Sequence, residues 1–171
     1  MDEQNIVVRP AQPEDVKSIA KINAAVFTGN RDNLKAATNW VRNHFEFVYY
    51  FYFVIEVDGE FAGYIGWQIP GGELRPMPAI ELEQLGIDPA FQSQGLASKI
   101  VEQSMPMMVS IVKKMNTRIE SKIIFFVWCY AHNKKAISVY QKMFPEQSGT
   151  RRQYGERDEI QFRRFESLVL D

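Results

Sequence analysis

Cysteine is nearly missing from this sequence. The one copy, Cys129, lies in the apolar run 123–130, so the chain can build neither an internal disulfide nor a cysteine-based metal site, and a reducing compartment is expected. Histidine is scarce too. His44 and His132 find no third ligand at matching spacing, which argues against a metal centre. An excess of either charge is also lacking: 20 basic residues face 21 acidic ones, too balanced for a broad positive field that would hold nucleic acid or an anionic membrane. No apolar stretch approaches the ~20 residues needed to span a bilayer, and the start of the chain lacks the layout of a signal peptide. A cytoplasmic protein is therefore expected, with no nucleic-acid or membrane partner. A length of 171 residues with 46% apolar residues suits one domain with a real core, spanning residues 1–171.

Against these absences stands a clear order of elements. Residues 6–9 form a β-type run. After the turn residues 10–15, apolar side chains from Val16 to Phe27 recur at helical spacing. A break at 28–30 precedes a second helical pattern over 32–47, which ends in aromatic residues. Residues 49–57 and 60–69 read as strands joined by Asp58-Gly59, a pair suited to a tight hairpin turn. The stretch 70–78, with its prolines and glycines, is a loop. Then come a strand at 79–87, a helix at 94–115, a strand at 122–130 and a helix at 133–144. This alternation makes the two strands parallel. Pro106 removes a hydrogen bond inside the first of these helices, so a kink or an early stop is expected near 103–105. The tail, about 149–168, reads as a closing pair of strands around 154–158.

The most specific segment is Gln92-Ser93-Gln94-Gly95-Leu96-Ala97, just past Asp88-Pro89 and at a helix start. Gly95 permits a positive φ, Ala97 keeps the first turn slim, and the helix terminus adds roughly half a positive charge, so backbone N–H groups can cradle a pyrophosphate. The second segment begins at Asn133, a good N-cap, and continues through Ala136 to Tyr140. Tyr140 stands about two turns beyond Asn133, on the same side of the helix.

Together the two segments resemble the GNAT superfamily of acyl-CoA-dependent N-acyltransferases, in which Gln-x-x-Gly-x-Ala opens one helix and Asn-x-x-Ala-x-x-x-Tyr forms another. The resemblance covers nearly the whole chain. It implies an α+β fold with a mixed, mostly antiparallel sheet of six or seven strands, helices on both faces, and a splay between strands 4 and 5. It also implies acetyl transfer from acetyl-CoA to a primary amine on a small molecule or a protein N-terminus, by direct transfer in a ternary complex. A homodimer is compatible with it.

By the same resemblance Gln92, Ser93, Gln94, Gly95, Leu96, Ala97 and Ser98 hold the pyrophosphate, while Asn133, Ala136 and Tyr140 border the pantetheine arm. The backbone of Leu85, Gly86 and Ile87 pairs with that arm as an added strand would. Gly86 alone already suggests a bulge or a close backbone approach. Tyr140 is the candidate acid for the departing thiolate. Glu81 and Glu83, two residues apart on one strand face, are candidate bases for the amine, because a carboxylate beside another or against an apolar wall can be tuned toward that task. Trp128 occupies the strand-5 place where some members carry a base, and it cannot accept a proton.

Other features stay open. The aromatic cluster from His44 to Phe53 reads as core more readily than as a substrate pocket. Lys134 and Lys135 read as a solvated face. Met143-Phe144-Pro145 replaces the family's Gly-Phe, so that helix must close without a glycine. A rival reading is an acyl-CoA-binding sensor of the same fold without turnover.

Overall fold

A computed structural model describes residues 4–27, 33–72, 75–116, 119, 122–152 and 158–168. Among them lie β1 (Ile6–Pro10), α1 (Val16–Val26), α2 (Leu34–Phe45), β2 (Tyr50–Val57), β3 (Glu60–Gln68), β4 (Ala79–Ile87), α3 (Leu96–Met115), β5 (Lys122–Tyr130), α4 (Lys134–Met143), β6 (Glu146–Arg151) and β7 (Glu159–Ser167). The strands join in one sheet in the order β1-β2-β3-β4-β5-β7-β6. The fold is the expected α+β class, with a mostly antiparallel sheet in which β4 and β5 run parallel. By contact density the chain packs as two compact units: Met1–Trp67 with Gln84–Met105, and Gln68–Glu83 with Pro106–Asp171.

In the first unit the hairpin turns at Asp58 and Gly59, which adopt φ of 52° and 83°, the pair of positive angles that a two-residue turn of the primed type demands. Asp58 also accepts a hydrogen bond from the Asn5 backbone, which ties β1 beside β2. The core beneath is built from Ile19, Ala20 and Ile22 of α1, Ala37 and Val41 of α2, and Tyr50, Tyr52, Val54 and Tyr64 of the hairpin. The aromatic cluster is thus largely core: Trp40 and His44 stack at 3.6 Å, Tyr50 and Tyr52 approach to 4.8 Å, and Phe47 stays 45% exposed. The helix break expected at 28–30 lies outside the described residues.

In the second unit β5 pairs with β7 along its whole length, from Lys122 opposite Ser167 to Tyr130 opposite Glu159. Ile80, Leu82, Ile123, Phe125, Val127 and Phe162 are buried on one face. Each such side chain contributes roughly 1.5–3 kcal/mol. The tail differs from the sequence reading in one respect: β6 begins at Glu146, directly after α4, and β7 inserts between β5 and β6. Of the turn expected around 154–158, residues 154–157 lie outside the described residues.

Of the kink or early stop expected near 103–105, the early stop does not occur. Helix α3 runs through Pro106 to Met115. Pro106 and Glu102 are both exposed, so the carbonyl that loses its intrahelical partner lies on the solvent side, where the loss costs least. No described helix is long and apolar enough to cross a membrane.

Candidate acetyl-CoA and proton-transfer residues

In the first unit β4 is followed by a short turn and a loop that leads into α3. The Asp88 carboxylate accepts from the Ala90 amide at 2.9 Å and starts a short 3-10 turn, Pro89–Phe91. The Gln92 side-chain amide donates to the Ile87 carbonyl at 3.1 Å, which fastens the loop to the strand. Ser93 and Gly95 then adopt φ of 66° and 76°. Left-handed residues of this kind can turn neighbouring amides toward one point, as in an anion nest. The helix begins at Leu96, with the Lys99 amide bonded to the Gly95 carbonyl, and the first-turn amides of Leu96, Ala97 and Ser98 have no intrahelical acceptor. A Cβ at Gly95 would meet nothing within 4 Å. The need for glycine there is conformational, not steric.

The strand leading into this loop is held by close contacts. A Cβ at Gly86 would stand 2.8 Å from Cε1 of Tyr64 and 3.0 Å from Cγ2 of Ile22, and one at Gly63 would stand 2.7 Å from the Gly86 carbonyl oxygen. The groups crowding Gly86 on this side are side chains, Tyr64 and Ile22. Inward burial at Ile80, Leu82 and Gly86 stays in phase along β4, which leaves Glu81 and Glu83 on the opposite face. Leu85 and Ile87 are half-buried. Behind them the Asn23 amide donates to the Tyr64 hydroxyl at 2.9 Å and to Gln84 Oε1 at 3.0 Å, and Tyr64 donates to the same Oε1 at 2.9 Å.

In the second unit the β4–β5 ladder covers only Ala79 opposite Ile124 through Leu82 opposite Val127, although β4 continues to Ile87 and β5 to Tyr130. That short ladder is the splay expected between the two strands. The outward face carries Glu81, opposite Phe126, with Trp128 two residues further on. Burial, and then the charge of Glu83, push the Glu81 carboxyl above its ordinary value; Arg151 opposes the rise and Glu159 adds to it. The sequence reading had neither Arg151 nor Glu159, because their place depends on β7 lying between β5 and β6.

Helix α4 begins at Lys134, with Asn133 as its cap: the Asn133 side chain accepts from the Ala136 amide at 3.1 Å, and its carbonyl accepts from Ile137. Ala136 and Tyr140 are half-buried, and Lys134 and Lys135 are exposed. The end without glycine closes on Phe144, whose N–H reaches the Tyr140 carbonyl at 2.7 Å while its side chain is fully buried. Enclosure of the Tyr140 hydroxyl, reinforced by Cys129, raises its pKa well above the usual phenol range. Cys129 is only 7% exposed, and burial pushes its thiol up as well. The structure therefore groups Glu81 with Glu83, Arg151 and Glu159, and Tyr140 with Cys129.

Residues 17–144 match the Acetyltransferase (GNAT) family. The chain belongs to that family. Its class of chemistry is acetyl-CoA-dependent N-acetyl transfer. No curated protein matches the chain. Among solved structures it is similar to the ribosomal-protein-S18-alanine N-acetyltransferase of Escherichia coli, with 17% identity over 98% of this chain and 97% of that one, at a TM-score of 0.69. It is also similar to the spermidine N-acetyltransferase SpeG of Vibrio cholerae, with 14% identity over 94% and 93% of the two chains and a TM-score of 0.69. NAA60 of Arabidopsis thaliana, in complex with acetyl-CoA, shares 15% identity over 94% of this chain and 98% of its own, with a TM-score of 0.70. At these identities the likeness establishes the shared fold.

Proposed function

We propose that this GNAT protein transfers acetyl from acetyl-CoA to a primary amine by direct attack within a ternary complex, in the cytosol. The observation that carries the reading is the loop with left-handed Ser93 and Gly95 leading into the first helical turn, where the amides of Leu96, Ala97 and Ser98 have no acceptor within the helix. Those amides, with Gln94 and Gly95, bind the pyrophosphate through backbone donors and the helix terminus, without a lysine. The backbone of Leu85, Gly86 and Ile87 pairs with the pantetheine amides, Asn133 and Ala136 border the same arm, and strand groups polarise the thioester carbonyl.

Glu81, helped by Glu83, takes the proton that an ammonium must lose before its nitrogen can attack. Its raised pKa suits it to that role, because a base works best with a pKa close to the operating pH. Tyr140 faces the opposite task. Its hydroxyl stays protonated throughout the physiological range, so it serves as a hydrogen-bond donor to the departing sulfur. Complete proton transfer from so weak an acid to a thiolate would run uphill. The acceptor belongs to the class of small amines or protein N-termini, a range supported by neighbours of similar fold named as a spermidine and a ribosomal-protein-S18-alanine N-acetyltransferase.

A buried thiol with a raised pKa makes Cys129 a poor acyl carrier, which supports direct transfer. Intact-mass analysis after incubation with acetyl-CoA alone should show unmodified protein. Initial-rate plots with both substrates varied should intersect, whereas parallel lines and an acetylated protein would favour a two-step route through the enzyme. A sensor without turnover would bind acetyl-CoA and release no thiol with any amine.

A further inference from the structure

Arg151 and Glu159 have no part in the chemistry above, yet the sheet brings both onto the face that carries Glu81. Strand register fixes this. Glu81 lies opposite Phe126 on β5, Trp128 follows on the same side opposite Gln161, and Tyr130 lies opposite Glu159, which in turn faces Arg151 on β6. The Arg151 guanidinium sits 4.5 Å from the centre of the Trp128 ring and donates to the Glu159 carboxylate. Glu159 is 8% exposed. The arginine is thus fixed from two sides: a ring below it and a nearly buried carboxylate beside it.

We propose that Arg151, laid over Trp128 and clamped by Glu159, is a positioning residue that holds Glu81 in its ionised form and so sets the lower pH limit of the reaction. The inference rests on the reading of Glu81 as the base. The charged groups that bear on Glu81 are Glu83 from its own strand, Arg151 from β6 and Glu159 from β7, and Arg151 is the one that favours the carboxylate. Arg163, on the same face opposite Phe126, is engaged by Glu146 at the far edge. Remove the arginine, and three carboxylates share a partly buried face without that cation. The charges of Glu83 and Glu159 then favour protonation of Glu81 without opposition from Arg151. Glu81 would then hold its proton to a higher pH, and a protonated carboxyl accepts nothing from an ammonium.

The test is a ¹³C NMR titration of glutamate carboxyls in the full chain, with the Glu81 signal assigned by its loss in Glu81→Gln. In Arg151→Met, or in Arg151→Gln should the first not fold, the Glu81 midpoint should move to higher pH. Arg151→Lys, which keeps the charge but loses the flat stack, should stay closer to wild type. A midpoint that does not move, or moves down, in the neutral variants overturns the proposal. The pH profile of thiol release from acetyl-CoA, with spermidine and an alanine-ended peptide as probe amines, is read separately. The acid limb of kcat/KM should move up in the neutral variants, and in Glu81→Gln it should give way to a fall that follows the protonation of the amine itself. An unchanged limb in Glu81→Gln removes Glu81 as the base, while the titration still decides what Arg151 does to that carboxyl.

Discussion

The Tyr64 ring lies directly over the backbone of Gly86, so close that a Cβ at position 86 would stand 2.8 Å from its Cε1. Both residues are buried, and the Tyr64 hydroxyl is engaged with Asn23 and Gln84, so the ring has little freedom to retreat. Gly86→Ala should cost about 1–3 kcal/mol, the usual range for overpacking. Gly63→Ala should cost at least as much, because its Cβ would meet the Gly86 carbonyl, which is backbone. Gly149→Ala is the control, since nothing lies within 4 Å of its Cβ. Urea unfolding of the three variants checks the order.

Gly95 separates conformational need from steric need. Gly95→Ala pays only for its positive φ, about 1 kcal/mol of stability. Gly95→Glu adds a negative charge where the pyrophosphate is proposed to sit. Acetyl-CoA should raise the melting temperature of wild type, with about 2.7 kcal/mol of stabilisation at a hundredfold excess over Kd. Gly95→Glu should lose that rise. A full rise in Gly95→Glu would place the anion elsewhere.

Glu81 should show a trade between stability and activity. Its folded pKa is raised, so its contribution to stability is fully present below the unfolded value and is lost as pH rises through the folded one. Glu81→Gln should therefore melt higher than wild type at neutral pH, with the gain fading as pH falls below the ordinary carboxylate range. Its kcat/KM should fall, most at low pH, where an unaided amine is almost entirely protonated. Thermal melts and rate profiles across pH read both effects.

Tyr140→Phe keeps the ring beside Phe144 and removes only the donor. Acetyl-CoA Kd should stay near wild type while kcat drops, since one preorganised donor to developing negative charge is typically worth ~10²–10³-fold. Because the hydroxyl stays protonated, the defect should be flat across neutral pH, unlike that of Glu81→Gln. Equal kcat in the two proteins, with chemistry rate-limiting, would show that the thiolate leaves without Tyr140.

Local patterns made much of this legible. The bounds of β4 and β5 follow from runs of alternating and apolar residues, Asp58-Gly59 from turn chemistry, and the starts of α3 and α4 from Gly95 and the Asn133 cap. Long-range pairings stayed hidden. Nothing in the tail says that β7 lies between β5 and β6, so Arg151 and Glu159 could not be placed beside Glu81. Arg9 is a second case: it bridges Asp15 at 2.7 and 3.0 Å and also reaches Glu56, a triad whose members are local only in part. Pro106 shows the opposite limit. Its local cost suggests a stop, and the buried side chains on either side, Met105 and Met108, carry the helix past it.

Simultaneous measurement of thiol release from acetyl-CoA and of the mass of the amine product, across spermidine, related polyamines and short peptides with free N-termini, tests the central claim most directly. The account predicts CoA release matched one for one by N-acetylated product for at least one amine, with both signals lost in the Gly95→Glu variant. Acetyl-CoA that binds and stabilises the protein but yields no free thiol with any of these amines would contradict it.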